Sequence, residues 1–142
     1  MGNIETSETN LSLIVTRRRL LLRIALVAAV AAALAFFALR TSPYLQYIPW
    51  MPRVIGVWAD SNGIVRNVAA FFVLGLATYL LVGRRLPHVL VLSGFGVALE
   101  VSQIWIRGRV FDWLDIWASL AGIALAWPVA WLLVRVFSRR PC

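Results

Sequence analysis

Six polar residues, Glu100, Gln103, Arg107, Arg109, Asp112 and Asp115, stand within one short stretch of an otherwise apolar chain. Their types permit two kinds of chemistry. Arginines can hold a phosphate through charge-assisted hydrogen bonds while carboxylates and an amide orient them and recognise sugar or amide groups. Alternatively, Glu100 or Asp112 can act as general base, with an arginine stabilising the developing negative charge. A third use is structural: the same groups can form a hydrogen-bonded cluster that fixes helix packing or docks a partner protein. Apolar runs long enough to enter a bilayer flank the stretch, and ionisable side chains are costly there, which marks it as the candidate site.

Spacing sets out which groups can meet. Gln103 follows Glu100 at i+3, on the same face of a helix, and Arg107 at i+7 returns to that face if the helix continues. A span ending near Ile106 puts Glu100 about 9 Å below its boundary, where a carboxylate must be paired, protonated or exposed to a wet cavity. Asp112 and Asp115 read equally well as a helix cap and a first-turn acid complementing the helix dipole. Asp115, Ser119 and Gly122 share one face, and Gly122 permits close helix approach. Asn67, Phe71 and Gly75 share another, on which Asn67 reads first as packing glue. Arg66 beside it can pair with a carboxylate or with a lipid phosphate. Asp60, Ser61 and Asn62 read as caps for the span that follows them.

Four apolar runs must position these groups, at about residues 20–39, 64–82, 87–106 and 113–137. Each is near the roughly 20 residues that cross a bilayer as a helix, and backbone in lipid must satisfy its own hydrogen bonds. With 61% hydrophobic residues and a mean hydropathy of +0.82, the expected fold is all-α: a polytopic membrane protein of four transmembrane helices. The run at 20–39 is too long and too bulky at its end for a cleaved signal core, so it is expected to remain as the first span. Residues 1–16 are expected to form a polar N-terminal tail and 17–142 one membrane domain. The segment 40–63, with Pro43, Pro49 and Pro52 among Tyr and Trp residues, suits an interfacial loop or short surface helix.

All 14 basic residues are arginine and the net charge is +8. They gather at the ends of the apolar runs, which reads as topology and contact with anionic lipid, with no nucleic-acid partner. If the N-terminus is cytoplasmic, nine arginines flank the inner ends and five the outer, a bias that favours both termini inside and the polar stretch outside. The single cysteine, Cys142, allows no intramolecular disulfide, and the single histidine, His88, lies at the opposite end from the carboxylates. No metal site and no cofactor are expected, and no phosphate-binding glycine loop or nucleophile elbow is present.

The combination of Asn67-x-x-x-Phe71-x-x-x-Gly75, Glu100-x-x-Gln103 and Arg109-x-x-Asp112-x-x-Asp115 running into Gly122 resembles the VanZ-like family of small bacterial membrane proteins, most strongly over residues 60–126. This chain departs from the usual pattern in having Val73 before the second-span glycine and Ser119 where the family usually has Asn. The resemblance implies a four-helix, multi-pass protein of the bacterial inner membrane. The family's namesake is linked to low-level resistance to the glycopeptide teicoplanin. The leading expectation is a non-enzymatic envelope protein that binds membrane lipids or a lipid-linked cell-wall precursor through Glu100, Gln103, Arg107, Arg109, Asp112 and Asp115. Arg66, Asn67, Gly75, Ser119 and Gly122 support that site. A hydrolase or transferase acting on a lipid headgroup, and a structural or partner-docking subunit, stand as alternatives. The sequence does not set an oligomeric state.

Overall fold

The computed structural model describes residues 2–39, 44–107 and 110–138, with residues 2–13 as backbone alone. Its elements are α1 (Gly2–Ala38), a 3-10 turn (Leu45–Tyr47), α2 (Arg53–Ser61), α3 (Gly63–Leu81), α4 (Leu86–Gln103) and α5 (Trp113–Ser138). Among the described residues there is no strand. Four helices are long and apolar enough to span a membrane: Ile14–Ala38 within α1, then α3, α4 and α5. The protein is an all-α, multi-pass membrane protein.

Most of α1 meets the expected first span, but the helix starts at Gly2 and runs through the polar residues expected to form a tail. No proline interrupts residues 2–38, and a helix once nucleated extends at little cost through residues that neither break nor cap it.

The core is the seam between α3 and α5, the most extensive helix contact in the molecule. Small residues bring it together. A methyl group added at Gly122 would fall 2.4 Å from the Val68 carbonyl oxygen and 2.8 Å from the Phe72 nitrogen, so the two backbones are nearly in contact there. One step along the seam, Gly75 faces Ala126 and Ile123. Leu74 and Ile123 are fully enclosed at this seam. The glycine faces expected from the sequence therefore do point into the bundle. From α4, Leu92, Gly96 and Leu99 close the core, with the Phe71 ring 3.2 Å from where a Gly96 side chain would begin.

The first span joins this core more loosely. It presents the stripe Val27, Val30, Ala31, Leu34, Ala35 and Ala38, half-buried against α3 and α4, and its other faces are exposed hydrophobic surface, as a lipid-facing helix requires.

Between α1 and α3 the chain forms the short surface helix α2, as expected for residues 40–63. Tyr47, Trp50, Val54 and Trp58 are exposed on this segment. The Phe37 ring of α1 meets Trp50 edge to face, with centroids 6.3 Å apart. The expected capping role of Asp60, Ser61 and Asn62 is not what forms. None of the three caps α3: its N-cap Asn62 makes no side-chain cap bond. Instead Ser61 Oγ donates to the Val57 and Trp58 carbonyls, and Asn62 Nδ2 donates to the Trp58 carbonyl. These side chains fold back on the last turn of α2, whose carbonyls lie three or four residues away, and at Trp58 they share the carbonyl with the backbone N–H of Asn62 at 3.1 Å.

Candidate functional site

Glu100 and Gln103 are buried, with 4% and 7% of their surface exposed, a depth that a lone carboxylate would not tolerate. Glu100 has partners. Gln103 Nε2 donates to Glu100 Oε2 at 3.3 Å, the i+3 pairing read from the sequence. Glu100 Oε1 accepts the backbone N–H of Asp112 at 2.9 Å. That second bond ties the end of α4 to the entry of α5 across the intervening turn.

Two sequence expectations are corrected at this point. The third span ends at Gln103 and not near Ile106, because Ile104, Trp105 and Ile106 close a tight turn on the Val101, Ser102 and Gln103 carbonyls. Glu100 therefore sits in the last helical turn, about 5 Å from the helix end. A carboxylate is unfavourable at a helix C-terminus, and the N–H of Asp112 together with the Gln103 amide offsets that. For the same reason Arg107 does not return to the Glu100 face; it is exposed in the turn. Arg109 lies outside the described residues.

At the start of α5 the capping reading is realised. Asp112 Oδ1 accepts the N–H of Leu114 at 2.8 Å, and Asp115 occupies the first turn, where a negative charge complements the helix dipole. Ser119 is buried and its hydroxyl donates back to the Asp115 carbonyl at 2.8 Å. This helical i−4 bond occupies the hydroxyl within its own helix.

The bundle forms a partly open cavity of about 210 Å3 at this end. Arg66, Asn67, Gln103 and Asp115, from α3, α4 and α5, are among the residues that line it. So are the apolar Leu34 and Phe37 of α1, Leu45, Met51, Ala70 and Leu99. The sequence reading thus divides into two groups. Glu100, Gln103 and Asp112 lock the α4–α5 junction, while Arg66, Asn67, Gln103 and Asp115 line the cavity, with Gln103 common to both. Asn67 and Arg66, expected as supporting residues, belong to the cavity wall itself. Gln103 spends an amide N–H on Glu100 and keeps a carbonyl oxygen that can accept.

The pairing of Arg66 with a carboxylate, one of the two partners read for it, is realised, but the wider role of that carboxylate was missed in the sequence. Arg66 Nη1 lies 3.7 Å from Asp60 Oδ1. The same carboxylate accepts the N–H groups of Leu45 and Gln46 at 2.8 and 3.1 Å, capping the 3-10 turn from a different element. Gly56 permits this, since a side chain there would strike the Gln46 backbone at 2.6 Å. Asp60 thus joins α2, the turn that carries Leu45 to the cavity wall, and Arg66. No local motif announces such a cap, because its donors lie 14 and 15 residues away.

At the opposite end His88 Nδ1 donates to the Gly83 carbonyl at 2.6 Å, far from the carboxylates as expected. Among the described residues no three His, Cys, Asp or Glu side chains converge as a metal site would need. No curated protein and no solved structure matches the chain. The VanZ/LLP1 family matches residues 10–135, a range that takes in the first three spans, most of the fourth, the locked α4–α5 junction and the cavity, and the chain belongs to that family.

Proposed function

We propose that the protein recognises an anionic lipid or a lipid-linked cell-wall intermediate in this cavity, on the outer side of the cytoplasmic membrane, with both termini cytoplasmic. The observation that carries the reading is one cavity lined both by polar side chains (Arg66, Asn67, Gln103 and Asp115) and by apolar ones. The arginine and the two amides suit a phosphate-bearing headgroup. The wall of Leu34, Phe37 and Leu99 suits the chain attached to it. At about 210 Å3 the cavity is below the usual size for a drug-sized ligand. It would hold a headgroup and the first part of a chain, with the remainder lying in the bilayer along α1. Arg107, exposed on the turn after α4, and Arg109, which lies between α4 and α5 in the sequence, would add phosphate contacts. The arginine bias supports the orientation, and the family name supplies the link to glycopeptide resistance.

A binding role is preferred to an enzymatic one because both proposed bases already accept backbone N–H groups, Glu100 from Asp112 and Asp112 from Leu114. The test is native mass spectrometry of the purified protein beside Arg66→Gln and Arg109→Ala, recording which envelope lipids remain bound. A phosphate-bearing lipid retained by the wild type and lost from both variants, with helix content unchanged, is the expected result. Identical lipid profiles would overturn the reading in favour of a structural or partner-docking cluster. Turnover of a lipid by the pure protein would overturn it in favour of an enzyme.

A further inference from the structure

At the end of the bundle away from the cavity, the α3–α4 connection holds an arginine in an unusual position. Arg84 Nη1 is buried and has no hydrogen-bond partner. An interfacial arginine ordinarily snorkels until its guanidinium reaches water or phosphate. A buried guanidinium N–H without an acceptor is costly, and such groups in a folded protein ordinarily mark an acceptor that completes them.

The local backbone fixes this position. Gly83 adopts φ 127°, a conformation other residues rarely take. It is reached because Val82 and Gly83 both donate to the Thr78 carbonyl at the end of α3. His88 Nδ1 then pins the Gly83 carbonyl at 2.6 Å. The turn is therefore held from both sides, by α3 and by the first turn of α4, and Arg84 and Arg85 issue from it in fixed order. The start of α4 contributes little to an anion by itself: Pro87 has no N–H and the His88 N–H is spent on the Arg85 carbonyl at 3.0 Å. The guanidinium groups must do the binding.

We infer that Arg84 and Arg85 form a phosphate site at the α3–α4 turn, on the side of the membrane opposite the cavity, whose ligand is the phosphate of an anionic phospholipid. His88 is a positioning residue that acts through the Gly83 carbonyl. A lipid phosphate is favoured over a free one because the turn joins two membrane-spanning helices, which places it at headgroup level. The site is independent of the cavity and does not rest on its function.

The test uses the full chain, stripped of lipid in detergent, with native mass spectrometry and thermal unfolding as readouts. Phosphatidylglycerol, phosphatidylcholine and inorganic phosphate are added in turn. The wild type is expected to retain phosphatidylglycerol over phosphatidylcholine and to melt at higher temperature with it. Arg84→Gln should weaken that retention at least about tenfold. Arg84→Lys, which keeps the charge and loses the planar fork, should fall between them. Arg135→Gln should leave binding unchanged, because Arg135 lies over the Trp131 ring 3.9 Å from its centroid. Stabilisation by inorganic phosphate equal to that by phosphatidylglycerol would retain the site and reassign its source to free phosphate. Equal weakening by Arg84→Gln and Arg135→Gln would overturn the site, leaving only general attraction between a basic surface and anionic lipid. So would a folded Arg84→Gln protein that retains as many copies of phosphatidylglycerol as the wild type.

Discussion

Replacing Gly122 by alanine tests whether the α3–α5 seam sets the geometry of the molecule. The new methyl group would lie 2.4 Å from the Val68 carbonyl oxygen, 2.8 Å from the Phe72 nitrogen and 3.1 Å from Phe71 Cβ. Two of these neighbours are backbone, so no rotamer change relieves the overlap, and the helices must part by about 1 Å to reach ordinary contact. Overpacking of a tight core costs about 1–3 kcal/mol, and a backbone clash belongs at the upper end. Alanine recovers about 1 kcal/mol in helix propensity, leaving a net loss of about 2 kcal/mol. Gly94, also in mid-helix, has nothing within 4 Å of an added methyl group, so Gly94→Ala should gain up to about 1 kcal/mol from propensity alone. Gly75→Ala meets the Ala126 methyl group at 3.0 Å and, at ordinary contact distance, Ile123 Cα at 3.5 Å and the Tyr79 ring at 3.7 Å, and should fall between the two. The assay is unfolding in mixed micelles with increasing dodecyl sulfate, followed by tryptophan fluorescence. The order Gly122→Ala, Gly75→Ala, Gly94→Ala, from least to most stable, is expected. A Gly122→Ala protein as stable as Gly94→Ala would refute the reasoning.

Other perturbations separate the roles of the polar groups. Glu100→Ala leaves the Asp112 N–H and the Gln103 amide without their acceptor and should destabilise by about 2–3 kcal/mol. Glu100→Gln keeps one acceptor oxygen and should lose about 1 kcal/mol, with faster hydrogen exchange at the Asp112 amide in both. Asp60→Ala should speed exchange at the Leu45 and Gln46 amides and lower stability by about 1–2 kcal/mol. Arg66→Gln removes only an ion pair in which the arginine is 29% exposed, and should cost less than about 1 kcal/mol. If Arg66→Gln matches Asp60→Ala, the amide bonds of Asp60 are not what hold the α2 unit.

What could be read from the sequence was what depends on near neighbours. The four spans follow from uninterrupted apolar runs. The Glu100–Gln103 pair, the Asp112 cap and the inward faces of Gly75 and Gly122 follow from helical spacing. The failures have one physical origin, which is that partners distant in sequence compete with local patterns. Asp60 fits an N-cap locally, yet two amides of an earlier turn and the Arg66 guanidinium claim it. Arg107 would share the Glu100 face only on a continuing helix, and the turn after Gln103 ends that helix. The cavity could not be foreseen, because its lining depends on how α1 and the Leu45 turn close over α3 and α4. Asn67 reads as glue between helices until that wall is in place.

Photocrosslinking from α1 in native membranes tests lipid recognition in the cavity most directly. Phe37 lines the cavity, while its neighbour Phe36 is 65% exposed on the outer surface of the helix. Benzoylphenylalanine at either position keeps an aromatic ring in place. The account predicts a phosphate-bearing lipid adduct at position 37 that is lost on adding Arg66→Gln or Arg109→Ala, and adducts of bulk lipid at position 36 that do not change. The same mixture of lipids at both positions, indifferent to the arginines, would contradict it.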